Sequence, residues 1–130
     1  MAIASIVALM PRVLVLDEPS GELDPRSSRQ IFALLKSLNE QLGITVIVIE
    51  QKIMLLCEFA RQLVVMNEGE IARQGETREV LAHAEELEAL GVNCPRVTTL
   101  SRLLAARTGR DLPACVSLDE AEQMVRGLMG

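Results

Sequence analysis

The sequence has almost no aromatic residues: among 130 residues there are two phenylalanines and neither tryptophan nor tyrosine. Sites that hold single-stranded nucleic acid usually stack the bases on aromatic rings, so this composition disfavours such a site. A basic surface is lacking too, because 13 Lys and Arg residues stand against 18 Asp and Glu residues, giving a net charge of -5. We therefore expect no nucleic-acid partner.

Long apolar runs and paired cysteines are also missing. No stretch approaches the roughly 20 apolar residues of a transmembrane helix, so any work at a membrane must come through a partner. Cys57, Cys94 and Cys115 form no CxxC pair, which predicts reduced thiols in the core and neither a disulfide framework nor a zinc site. The hydrophobic fraction of 49% indicates a globular chain.

The first half of the sequence predicts a strand, a helix and a second strand. An apolar, buried helix is expected over Ala2–Met10, followed by a strand at Val13–Leu16 that is covered on both faces. Asp24 and Pro25 are typical of a helix start. The helix carries an apolar stripe formed by Ile31, Leu34, Leu35, Leu38 and Leu42. Ile44–Ile49 is the second strand, which should run parallel to the first.

The second half predicts a hairpin and several short helices. Leu63–Met66 and Glu70–Arg73 should pair around a turn at Gly69. Helices follow, with His83 at the surface. We predict an α/β fold in which residues 1–91 form one domain and residues 92–130 a small helical extension, whose last helix begins with the Ser117 and Glu120 capping box.

Asp17 and Glu18 stand where the first predicted strand ends. Ligands bind at the carboxyl ends of parallel strands, and two adjacent carboxylates there favour Mg²⁺ with a bound phosphate. The alternation of side chains along a strand suggests that one acid faces the metal and the other a water. The alternative is that the strand simply ends in a charged turn.

The segment from Leu16 to Pro25, LDEPSGELDP, closely resembles the Walker B motif and D-loop of ABC-type ATPases. The resemblance implies part of a P-loop NTPase fold that uses ATP and Mg²⁺. It implies that Asp17 holds Mg²⁺ through a water and that Glu18 is the general base that polarises the attacking water. By the same resemblance, Asp24 belongs to the D-loop and meets a second subunit across the nucleotide.

Gln51 occupies the position at which this family carries a histidine that contacts the γ-phosphate. A glutamine can donate a hydrogen bond to phosphate but carries no positive charge. Nucleotide binding is then expected to survive while stabilisation of the transition state weakens. The alternative is that Gln51 is a solvated residue at the end of a strand.

Two motifs of the family are absent from the chain. It has no G-x-x-x-x-G-K-[ST] sequence to cradle phosphates and no LSGGQ-type signature. The sequence resembles the carboxyl-terminal part of an ABC ATPase, starting just after the signature. We therefore expect no ATP hydrolysis by these 130 residues alone, and we expect exposed apolar surface on the sheet.

The tail of the sequence, at Gly91–Thr98 and Leu112–Ala121, resembles the extension of energy-coupling factor (ECF) ATPases. This resemblance implies an ATP-binding subunit of an importer for a vitamin or a metal ion. A second ATPase subunit and a membrane coupling subunit are the implied partners, at the cytoplasmic face of the membrane. The alternatives are a degenerate ABC subunit that binds nucleotide without hydrolysis and a soluble ABC ATPase outside transport.

Overall fold

The structure is a computed structural model that describes the backbone of residues 2–130 and the side chains of residues 4–130. The chain divides into two compact units, one ending at Gln51 and one spanning Lys52–Gly130. Each unit contains a two-stranded sheet, parallel in the first and antiparallel in the second. The predicted α/β class is confirmed. The predicted domain boundary between residues 91 and 92 stays a prediction.

The first unit is built on a strand-helix-strand motif. It contains α1 (Ala2–Val7), β1 (Val13–Asp17), α2 (Pro25–Leu42) and β2 (Thr45–Ile49). As predicted, β1 and β2 are parallel, with Asp17 in register with Ile49. Helix α2 ends at Gly43, whose φ of 66° is the left-handed conformation that favours glycine. This motif places the ends of β1 and β2 side by side.

One face of the β1–β2 sheet packs against α2. Leu14, Leu35 and Ile44 form the buried core of the unit. Three residues of the predicted stripe pack in this core, since Leu35 is buried and Ile31 and Leu38 pack against it. The other two are exposed, Leu34 at 47% and Leu42 at 48%, and Phe32, which was not predicted, is buried at 3% exposure.

The other face of the sheet is exposed, so the prediction of strands covered on both faces is wrong for this chain. The exposed side chains on this face are Val13 at 53%, Val15 at 60%, Ile47 at 49% and Ile49 at 56%. The expected buried helix is also wrong: α1 is shorter, and Leu9 and Met10 that follow it are 80% and 65% exposed. Both errors have one cause. The apolar composition of a segment shows that burial would be favourable, but it does not show whether another segment covers it. The expected exposed apolar surface is present.

The second unit begins with α3 (Ile53–Phe59) and the hairpin of β3 (Gln62–Asn67) and β4 (Glu70–Glu76). Glu68 and Gly69 both have positive φ, 49° and 82°, as a tight turn between antiparallel strands requires. Helices α4 (Thr77–Leu81) and α5 (Ala84–Ala89) follow. The core of this part consists of Cys57, Leu63, Val80, Leu81 and Leu87.

Helices α6 (Arg96–Thr108) and α7 (Leu118–Met129) complete the second unit. The predicted capping box is present, since the Ser117 hydroxyl accepts the Glu120 backbone N–H at 3.3 Å. Arg78 in α4 donates to both carboxylate oxygens of Glu120, at 3.1 and 2.6 Å, and to the carbonyl of Ala114 at 2.9 Å. These contacts fasten α7 to α4.

Candidate functional site

The first predicted site residues lie at the end of β1. Asp17 is the last residue of the strand, and the backbone N–H of Glu18 donates to the carbonyl of Ile49 at 2.8 Å. Both acids are exposed. Glu18 has a φ of 45°, so the chain leaves the extended conformation there. The side chain of Glu18 therefore does not follow the alternation of the strand, and its direction is set by the turn.

The structure brings Glu18 and Gln51 together. The side-chain amide of Gln51 donates through Nε2 to Oε1 of Glu18, at 2.5 Å. These residues are 33 positions apart in the sequence and meet because parallel pairing aligns the ends of β1 and β2. A carboxylate and an amide donor thus share one exposed edge of the sheet, where a bound phosphate and a water could reach both.

The loop between Glu18 and α2 is tightly wound. The N–H of Gly21 donates to the carbonyl of Glu18 at 3.0 Å, and a Cβ at Gly21 would lie only 3.3 Å from that oxygen. The N–H of Leu23 then donates to the carbonyl of Ser20 at 3.1 Å. These short-range bonds fix the path of the chain from Glu18 to Asp24.

Asp24, the predicted partner-facing residue, caps α2. Its Oδ1 accepts the backbone N–H groups of Arg26 and Ser27 at 2.9 and 3.0 Å, and Oδ2 accepts the Ser27 hydroxyl at 2.5 Å. These bonds, the Ser27 hydroxyl foremost, hold the pKa of Asp24 below its ordinary value. The carboxylate is therefore ionised and oriented by its own helix, while the residue as a whole stays exposed.

The contact between Ser20 and Glu50 at this site was not predicted from the sequence. Ser20 is completely buried, and its hydroxyl donates to Oε2 of Glu50 at 2.5 Å. Oε1 of Glu50 accepts the backbone N–H of Gln51 at 3.0 Å. One sequence feature could have indicated this contact. Glu50 directly precedes Gln51 and follows β2, and parallel pairing places the end of β2 beside Asp17.

The donor set suits Mg²⁺ only if other ligands contribute. Among residues 4–130 there is no group of three or more His, Cys, Asp and Glu side chains able to hold a metal. Asp17 presents one exposed carboxylate, and Mg²⁺ binds through one or two carboxylates together with waters and phosphate oxygens. The edge therefore fits an ion that arrives with a nucleotide and not one held by protein ligands alone.

Two other features involve residues different from the predicted site residues. A cavity of about 550 Å³ opens at the amino-terminal ends of the strands, lined by residues that include Arg12, Val13 and Thr45. His83 lies in the second unit, is exposed as predicted, and has Nδ1 3.3 Å from Glu86. Neither the cavity lining nor the His83 contact includes any of the predicted site residues.

Similar sequences carry names that agree with the motifs. The chain is 37% identical over 120 residues to the energy-coupling factor transporter ATP-binding protein EcfA2 of Bacillus cereus, covering 92% of the chain and 41% of that protein. It is 35% identical over 130 residues to EcfA2 of Caldanaerobacter subterraneus, covering 99% of the chain and 46% of that protein. The chain thus spans less than half the length of these relatives. No protein-family model matches it.

Solved structures agree as well. CbiO1 from Clostridium perfringens, part of the ABC transporter complex cbiONQ, has a TM-score of 0.60 and 35% identity, over 76% of the chain and 39% of that protein. A dimeric bacterial ABC transporter cassette, MJ0796, has a TM-score of 0.55 and 35% identity, over 59% of the chain and 33% of that protein. No helix in the described part of the chain has the length and apolarity to cross a membrane. The predicted resemblance is confirmed: the chain is related to the carboxyl-terminal part of ECF transporter ATP-binding proteins, and its fold is that of a partial ABC ATPase cassette.

Proposed function

We propose that the chain supplies the Walker B, D-loop and switch segments of an ATPase that drives an ABC importer for a vitamin or a metal ion. The contact between Glu18 and Gln51 at the end of the parallel strands carries this proposal. The relatives support it, because they are named as ATP-binding proteins of energy-coupling factor transporters. Bound Mg·ATP would supply the phosphoryl group whose transfer to water drives transport.

Each site residue has a proposed role. Asp17 would hold the Mg²⁺ that accompanies the nucleotide, through a water molecule. Glu18 accepts a proton from the attacking water as the general base, which its exposed, ionisable carboxylate allows. Asp24 faces a second ATPase subunit from the first turn of α2.

Gln51 is proposed to contact the γ-phosphate. Its Nε2 has two protons, and one is already donated to Glu18, so the other is available for a phosphate oxygen. The contact also fixes the direction of the Glu18 carboxylate. A neutral amide stabilises the growing negative charge of the transition state less than a cation does, so turnover should be slow for this class.

The proposed partners are a second ATPase subunit and a membrane coupling subunit. The dimeric cassette among the similar structures supports the first, and the transporter names of the relatives support the second. The protein would then lie at the cytoplasmic face of the membrane as a peripheral subunit.

A second candidate function is nucleotide binding without hydrolysis, in a subunit that clamps its partner. The lack of positive charge at Gln51 favours it, because binding needs a hydrogen bond whereas catalysis gains most from charge. The two candidates differ in whether Glu18 matters for turnover, which is measurable.

The test is ATP turnover by a chimera in which this chain replaces the aligned segment of the Caldanaerobacter subterraneus relative, an alignment that covers 99% of the chain. We expect Mg²⁺-dependent turnover that Glu18→Gln lowers by about a hundredfold or more, as loss of a general base does. Glu22→Gln is the matched control, since Glu22 is an exposed acid in the same loop. Equal turnover by the parent and Glu18→Gln chimeras contradicts the ATPase proposal.

The 130-residue chain alone provides the complementary measurement. We expect no turnover, because no G-x-x-x-x-G-K-[ST] motif is present to hold the phosphates. Turnover of Mg·ATP by the isolated chain, at a rate that Glu18→Gln abolishes, contradicts this expectation.

A further inference from the structure

The side chain of Glu50 connects the two segments that carry the site residues. Its Oε2 accepts the Ser20 hydroxyl at 2.5 Å, and its Oε1 accepts the Gln51 backbone N–H at 3.0 Å. Glu50 is half-buried and Ser20 is 0% exposed, so water does not compete for the hydroxyl. Each oxygen of the carboxylate therefore holds a different segment.

These contacts close a ring that includes the proposed base. Ser20 follows Glu18 by two residues, Glu50 joins Ser20 to the backbone of Gln51, and the Gln51 side chain returns to Glu18 at 2.5 Å. The backbone bond from Glu18 to Ile49, 2.8 Å long, spans the same two segments. The Glu50 carboxylate thus joins the segment that carries Glu18 to the segment that carries Gln51.

We propose that Glu50 is a positioning residue that sets the geometry of Glu18 and Gln51 for hydrolysis, a role that rests on the proposed function. Both bonds need a hydrogen-bonding group at position 50. A glutamine there can keep both, because its oxygen accepts the Gln51 N–H and its NH₂ donates to the Ser20 hydroxyl, which also accepts. Glu50→Met keeps the length of the side chain and loses both bonds. A displacement of about 1 Å at the reacting groups is enough to lower the rate about a hundredfold.

Ser20 provides an independent way to break the same ring. Ser20→Ala removes the hydroxyl from a fully buried position and leaves Oε2 of Glu50 without this donor. Ser20→Thr keeps the hydroxyl and should keep the ring. The two substitutions separate loss of the hydrogen bond from any change of side chain at this position.

The first test measures the contact itself by NMR on the 130-residue chain. In the parent we expect nuclear Overhauser contacts between the Gln51 side-chain amide protons and the Glu18 side chain. We expect them to be lost in Glu50→Met and in Ser20→Ala, and kept in Ser20→Thr and in the control Glu22→Gln. Contacts that persist in Glu50→Met or in Ser20→Ala, with the remaining spectrum native, overturn the proposal. If Glu50→Met does not fold, Ser20→Ala decides.

The second test is kinetic and uses the chimera described above. We expect Glu50→Met to lower kcat about tenfold to a hundredfold with KM for ATP changed less than about twofold, because the ring bears on chemistry and not on nucleotide binding. The double variant with Ser20→Ala should be no slower than Glu50→Met, since both substitutions break one ring. An unchanged kcat in Glu50→Met, in a chimera that Glu18→Gln inactivates, overturns this inference and spares the proposed function. An unchanged kcat in Glu18→Gln overturns the proposed function, while the NMR contacts still decide whether Glu50 sets the geometry.

Discussion

Two adjacent leucines of α2 provide a sharp test of the core of the first unit. Leu35 is 3% exposed and packs with Leu14 and Ile44, whereas Leu34 is 47% exposed. The spacing of the sequence assigned both to one buried stripe. Truncating each to alanine removes the same atoms from the same helix, so any difference between the variants comes from their surroundings.

We expect Leu35→Ala to lower the free energy of unfolding by about 3 kcal/mol, since a buried leucine loses its transfer energy and leaves a cavity. Leu34→Ala should cost roughly 1 kcal/mol or less, because about half of its side chain is already in water and no closed cavity forms. The free energy of unfolding of a small domain is about 5–15 kcal/mol, so the loss expected for Leu35→Ala is a substantial fraction of it.

Urea unfolding followed by far-UV circular dichroism measures the difference, because a chain without Trp or Tyr offers little intrinsic fluorescence. Amide exchange of β1 and β2 residues then assigns the change to the first unit. Losses within about 0.5 kcal/mol of each other would refute the placement of α2 on the sheet.

Three further outcomes are expected. In the chimera, Gln51→His should raise kcat, since an imidazolium adds positive charge beside the phosphate; an unchanged kcat refutes a charge deficit. The hydrogen bond from Arg78 lowers the pKa of Glu120. This pair therefore stabilises the fold at pH values above the ordinary carboxyl pKa, and the stabilisation is lost as the pH falls through the lowered pKa of Glu120. Urea midpoints against pH should show this loss in the parent and not in Arg78→Ala. Burial raises the pKa of Cys57 to about 12, so a thiol reagent at about pH 8 should label Cys57 only after unfolding. Rapid labelling of Cys57 in the native chain, located by mass spectrometry, contradicts this expectation.

The strand-helix-strand motif could be predicted because its signals are local. The cap at Asp24, the glycine at position 43 and the short β-branched runs each fix one boundary without reference to the remainder of the fold. Parallel pairing then brings Glu18 and Gln51 to the same edge. The sequence accordingly predicts that Glu18 and Gln51 lie close together, as they do in the structure.

The contacts within that edge could not be predicted. The spacing of residues does not reveal the positive φ at Glu18, and the bond between Ser20 and Glu50 joins residues 30 positions apart. Nor could the sequence predict which face of the sheet is covered. Val15 and Ile47 are apolar residues of the kind usually buried, and only the structure shows that they are exposed. Such features depend on tertiary structure and not on local propensity.

The left-handed backbone at Glu18 has a consequence for how this protein tolerates change. With φ at 45°, any residue with a Cβ costs about 1 kcal/mol there, and glycine would not. A glycine at position 18 would relieve this cost but would remove the carboxylate that we propose as the general base. On that proposal, residue 18 gives up some stability of the fold for activity, as strained residues at functional sites do.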